Sequence, residues 1–142
     1  MTTKFSPIID LRKKDMQECE RAILQNENNI TNKRAQIERI ADELVGLKMP
    51  QNGMFSAMQA YNEMKKMLLA HLQNIQDELN ELLLHKNSLQ NQYKKHHIEY
   101  EKIAFLDKKE QDKMFKALNN REKREVDEIA MMLYNRTGGK RI

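Results

Sequence analysis

Glycine and proline are nearly missing from this chain: 142 residues hold 4 Gly and 2 Pro. Tight turns draw on both residue types, so few turns are expected. There is no Trp, and aromatic residues make up 6% of the chain. Sheets favour aromatic and β-branched side chains, so a strand-rich fold has little to build on. The single Cys19 excludes an internal disulfide and fits a reducing compartment. No apolar run approaches the roughly 18 residues of a membrane span. The opening MTTKFSPIID also lacks the apolar core of a signal peptide. These absences predict a soluble, cytoplasmic protein. What remains is abundant Lys, Glu, Gln, Leu and Met, with 32% charged residues and a mean hydropathy of −0.85. That composition points to long helices sharing a narrow seam.

The formal net charge of +4 is unevenly placed. Residues 1–101 carry 14 basic and 14 acidic side chains, whereas residues 102–142 carry 11 and 7. The excess therefore lies in the last segment, but acids are interleaved with the bases, as in NREKREVDEIAMML (Asn120 to Leu133). Interleaved carboxylates repel phosphate, so no nucleic-acid partner is assigned.

Ser6-Pro7 has the form of a helix start, with Ser as the cap and Pro at the first helical position. From there Ile9, Met16, Ile23, Ile30, Ile37 and Leu44 recur every seventh residue, as a positions of a coiled coil do. The matching d positions are Arg12, Cys19, Asn26, Lys33, Ile40 and Leu47. Only the last two are strongly apolar, so the seam is expected to loosen toward the N-terminus. Pro50 and Asn52-Gly53 then form the one convincing turn. A second register follows, with Tyr61, Leu68, Ile75, Leu82, Leu89, His96 and Ile103 at d. Met58, Leu72, Leu79, Tyr93 and Tyr100 stand at a, with Lys65 and Lys86 as polar exceptions.

The fold class expected is all-α: a two-helix antiparallel coiled-coil hairpin with an overhanging longer C-terminal helix. One domain covers 1–142, with a helix over about 7–48, a turn over about 49–55, a helix over about 56–135 and a flexible tail at 136–142. With the turn centred near Gln51, Leu44 should face Met58–Tyr61, Ile23 should lie near Leu79, Ile9 near Tyr93 and Cys19 near His85. The first helix, roughly 66 Å long, then runs out near Tyr93 to Ile98, while the second could reach roughly 120 Å. Beyond that point Tyr100, Ile103, Leu106, Met114, Phe115, Leu118, Val126, Ile129 and Leu133 keep a helical spacing with nothing to cover them. Covering each would be worth about 1.5–3 kcal/mol. A bend near Phe105–Asp112 that folds back a third helix is the competing arrangement, but no breaker residue supports it.

Chemistry is sparse. His71 and His85 are 14 residues apart, roughly 21 Å along a helix, and cannot share a metal. Adjacent His96 and His97 point roughly 100° apart. No Gly-rich phosphate loop or carboxylate cluster is present, and a two-helix coiled coil has no concave interior for a substrate. No enzyme activity, catalytic residue, cofactor or metal is therefore assigned. Two surfaces remain. One is a methionine-bearing stripe near the hairpin tip, where Ala60, Met64, Met67 and His71 follow at spacings of four, three and four. Met there either fills loose packing or offers an adaptable binding surface. The other joins charge alternation to an orphan apolar stripe: Arg121, Arg124, Val126, Asp127, Glu128, Ile129, Ala130 and Leu133. A solvated helix end held by intrahelical ion pairs would explain the charges but not the stripe.

Both ends of the chain resemble one family. KFSPIIDLRKKDMQECERAI is similar to the N-terminus of the FliJ family of flagellar type III export proteins. REKREVDEIA, Arg121 to Ala130, is similar to that family's charged C-terminal motif. Asp127, Glu128, Ile129 and Ala130 fill its closing places, with Arg124 at the basic position three before the Asp; Lys123 stands where many members carry Gln. The resemblance implies a small antiparallel coiled coil, like the central stalk of rotary ATP synthases. It implies binding to the hexameric export ATPase and to the export gate, with the tip as a candidate gate contact, and escort of export chaperones. It further implies a cytoplasmic protein peripheral to the inner membrane at the flagellar base, held there through partners only. The alternatives are a structural coiled coil that self-associates through residues 98–134, and the equivalent stalk protein of a virulence type III secretion system.

Overall fold

A computed structural model describes residues 2–51 and 53–138. Two helices account for nearly all of them: α1 over Ser6–Gly46 and α2 over Phe55–Gly138. The described residues contain no strand, in keeping with the all-α class. The residues group into two compact units, one from Asp15 to His96 and one joining the chain up to Lys14 with the chain from His97 on.

In the Asp15–His96 unit the seam follows the heptads. Ile40, Leu68 and Ile75 form a buried cluster, with Ile37, Leu44, Leu47 and Leu72 packed against it. Ile30 is 2% exposed and is the most fully buried large side chain. The d positions toward the N-terminal side do not loosen as their polarity suggested. Cys19 and Asn26 are both buried, Asn26 to 4% exposure. Each is satisfied from the opposite helix: the Asn26 Nδ2 donates to the Leu82 carbonyl at 3.1 Å, and the Cys19 thiol donates to the Leu89 carbonyl at 3.4 Å. A polar side chain is cheap to bury once it has such a partner. The flanks carry ion pairs between the helices, Lys33 with Glu78 and Lys86 with Glu27 at 2.7 Å. The Tyr93 hydroxyl donates to Glu20 at 3.2 Å.

The pairing register differs from the one expected. Cys19 meets Leu89 rather than His85, and Tyr93 meets Glu20 rather than Ile9. Leu44 packs on the cluster of Ile40, Leu68 and Ile75. The Cys19 pairing moves by four residues and the Tyr93 pairing by eleven, on average about one heptad, and a slide of one heptad preserves every a and d position. Its cause is the connection. α1 ends at Gly46, where the Leu47 amide donates to the Leu44 carbonyl. Residues 47–51 and 53–54 form no helix, and α2 starts on the Met54 carbonyl, which accepts from Ala57 and Met58. Leu47 folds onto the core, so the first two to three turns of α2, at about 3.6 residues each, lie past the end of α1.

The terminal unit is built on a cap. Thr3, not Ser6, is the N-cap: its Oγ1 accepts from the Phe5 amide at 3.1 Å and its carbonyl accepts from the Ser6 amide at 3.1 Å. The Ser6 hydroxyl reaches back to accept from the Thr3 amide at 2.9 Å, the reciprocal arrangement of a capping box. The Thr3 hydroxyl also donates to Asp107, whose other carboxylate oxygen accepts from Gln111 at 2.9 Å. This fixes the first residues of the chain beside the Ile103–Gln111 stretch of α2. No residue of this unit is fully buried among those described; Ile9, Arg12, Ile103, Ala104, Asp107 and Gln111 are half-buried. From Asp112 to Thr137 every residue is exposed.

Candidate partner-docking surfaces

The helix from Asp112 to Thr137 is where the terminal face lies. At 3.6 residues per turn, Val126, Ile129, Ala130 and Leu133 fall at i, i+3, i+4 and i+7 and share one stripe. All four are exposed, with Val126 at 64%, Ile129 at 57% and Leu133 at 57%. Met114, Phe115 and Leu118 carry an apolar stripe one segment earlier and are exposed as well. Arg121, Arg124, Asp127 and Glu128 are exposed on the same helix, and Arg121 pairs with Glu125 at 3.7 Å within it. An exposed ion pair of this kind adds only about 0.3–0.5 kcal/mol, so it does not explain an uncovered apolar stripe. The sequence placed the start of the uncovered segment near residue 98. It starts at Asp112 instead, because the chain around Thr3 reaches Asp107.

The tip stripe is exposed too. Ala60, Met64, Met67 and His71 are all open to solvent, with Met67 at 63%. The four lie along one side of α2, and His71 borders a shallow groove with Gln36, Arg39, Ile40 and Glu43 of α1. Met54 and Phe55 at the start of α2 are exposed as well, a part of the apolar tip that the heptad count left out because they precede its first a position.

Among the described residues the sparse histidines and the cysteine lie apart. Cys19 is buried on Leu89, whereas His85 lies with Asn29, Asn32 and Lys33 of α1. Among the described residues no group of three or more His, Cys, Asp or Glu side chains is placed to hold a metal ion. Burial raises the Cys19 thiol above its ordinary value, and the neighbouring Glu20 charge adds to this, so it is a poor nucleophile. The Tyr93 phenol is raised by burial first and then by its hydrogen bond to Glu20. No described helix is long and apolar enough to cross a membrane.

The chain thus presents uncovered helix faces and no catalytic arrangement among the described residues. No curated protein and no solved structure matches it. The family model described as flagellar FliJ protein does, over residues 1–139. The chain therefore belongs to the FliJ family, non-catalytic helical proteins associated with type III export in flagellum biogenesis.

Proposed function

We propose that this chain binds the hexameric export ATPase through the exposed face of residues 112–137. The supporting observation is the stripe of Val126, Ile129, Ala130 and Leu133, flanked by Arg121, Arg124, Asp127 and Glu128 and left exposed among the described residues. The tip stripe of Ala60, Met64, Met67 and His71 contacts the export gate, using flexible Met side chains that repack against a partner. The protein escorts export chaperones, acts as one coiled-coil domain, and works in the cytoplasm at the flagellar base, reaching the inner membrane only through its partners.

The test is a paired substitution on the stripe. Val126→Asp with Ile129→Asp places two carboxylates where apolar contact is needed, each site being worth about 1.5–3 kcal/mol when covered. Binding to purified export ATPase should weaken by at least about 100-fold by that measure, and any stimulation of ATP hydrolysis should vanish. Helicity should stay the same, since neither side chain is packed on the chain. Unchanged ATPase binding by the double variant would show that the face is misassigned.

A further inference from the structure

Six of the nine large apolar side chains between Asp112 and Thr137 map onto one another when the helix is reversed; Val126, Met131 and Tyr134 do not. Reading forward, Met114, Phe115 and Leu118 are large and apolar; reading backward, so are Leu133, Met132 and Ile129. The two sets coincide when the helix is reversed about the Lys123–Arg124 peptide. In a register one residue on from that of the hairpin, and so on a different face of the helix, Phe115, Glu122 and Ile129 are a positions, and Leu118, Glu125 and Met132 are d positions. In an antiparallel pair of helices each a layer faces a d layer of the other helix. Reversal therefore lays Phe115 on the second copy's Met132 and Leu118 on its Ile129.

We infer that this face pairs antiparallel with the same face of a second copy of the chain. The interface is isologous, so every contact forms twice. Charge supports the direction. Arg121 and Glu128 occupy g positions, and g faces g in an antiparallel pair, so Arg121 of each copy meets Glu128 of the other. A parallel pair would set Arg121 against Val126 and lose both attractions. Space supports it as well. The chain around Thr3 already sits on α2 at Asp107, so two parallel copies would crowd at that level. An antiparallel pair sends the two covered stretches to opposite ends. The register is also fixed: a slip of one heptad would put Phe115 against Glu125 or past the described helix.

The centre of the interface sets its strength. Glu122 and Glu125 face the second copy's Glu125 and Glu122, so carboxylates oppose carboxylates in the middle of an otherwise apolar seam. Polar groups at core positions specify pairing at a cost in stability. The pair is consequently weak and reversible; it shares Ile129 with the stripe that the export ATPase would use, but does not depend on that assignment.

The test uses the purified full chain with no ATPase present. Sedimentation from low micromolar to submillimolar concentration should show a monomer–dimer equilibrium, tightened about tenfold or more by Glu122→Leu with Glu125→Leu. In a Cys19→Ser background, Leu118→Cys with Ile129→Cys should give disulfide-linked dimers on mild oxidation, whereas Leu118→Cys alone should not. A chain that stays monomeric throughout, even with both glutamates replaced, overturns the proposal. So does cross-linking of Leu118→Cys alone as readily as the double variant, which would mean a parallel pair.

Discussion

Asn26 shows how one polar side chain can belong to an apolar seam. It is among the most buried residues of the chain, and its amide donates to Leu82 across the hairpin. Asn26→Ala removes that bond and leaves a gap, and should cost about 1–2 kcal/mol. Asn26→Leu should be neutral or stabilising, because an apolar group of similar size needs no partner. Urea unfolding followed by circular dichroism separates the two; equal losses would mean that the hydrogen bond is not what Asn26 contributes. Ile30→Ala, at the tightest point of the core, should cost about 2–4 kcal/mol in the same measurement. Cys19 and Tyr93 tie stability to alkaline pH. Both are acids whose neutral form the fold favours, with ordinary values of 9.0 and 10.0 that are raised here. Their contribution to stability is fully present below those ordinary values and is lost as pH rises through the higher folded ones. The melting temperature should be level from neutrality to about pH 8.5 and should fall beyond about pH 9. Cys19→Ser with Tyr93→Phe should flatten that fall; an equally steep fall would assign it to other groups.

At the scale of the helices, much was legible in the sequence and one thing was not. The a and d positions of both helices are the half-buried and buried ones from Ile9 to Leu47 and, apart from exposed Lys65, from Met58 to Ile103. The register between the helices was not legible, because a slide of one heptad leaves the pattern unchanged and the energy of a generic seam nearly so. It was decided by where α1 ends and α2 begins and by partners that a hydropathy count scores as weak. Cys19 and Asn26 find backbone acceptors, Lys33 finds Glu78, and Thr3 finds Asp107. The same slide moved the start of the uncovered segment to Asp112. The uncovered stripe itself was legible, because α1 is too short to reach it in either register. The cap was misplaced by one helical turn, since Thr3-Lys4-Phe5-Ser6 carries a hydroxyl at both ends and either can cap. If the register is the one described, Cys19→Ser with paired cysteines replacing Asn26 and Leu82 should close a disulfide on mild oxidation, whereas a pair replacing Ile23 and Leu79 should not. Closure of the second pair alone would restore the register that the turn suggested.

Stability and binding are unevenly divided over the molecule. Every fully buried residue among those described lies between Asp15 and His96, and residues from Asp112 on are exposed. A helix with no packed face is only marginally stable in water. Deleting residues from Asp112 onward should therefore leave the melting temperature within about 2–4 °C of the intact chain, while removing ATPase binding. A large drop in melting temperature would mean that this segment supports the fold after all. The central proposal is that a partner covers residues 112–137, which are exposed among the described residues. Hydrogen exchange tests this most directly, by comparing the chain alone at low concentration with the chain in excess export ATPase. Residues 112–137 should exchange fast alone and become the main protected segment in the complex, with Asp15–His96 slow in both. Fast exchange of residues 112–137 in a complex that protects other residues instead would contradict it.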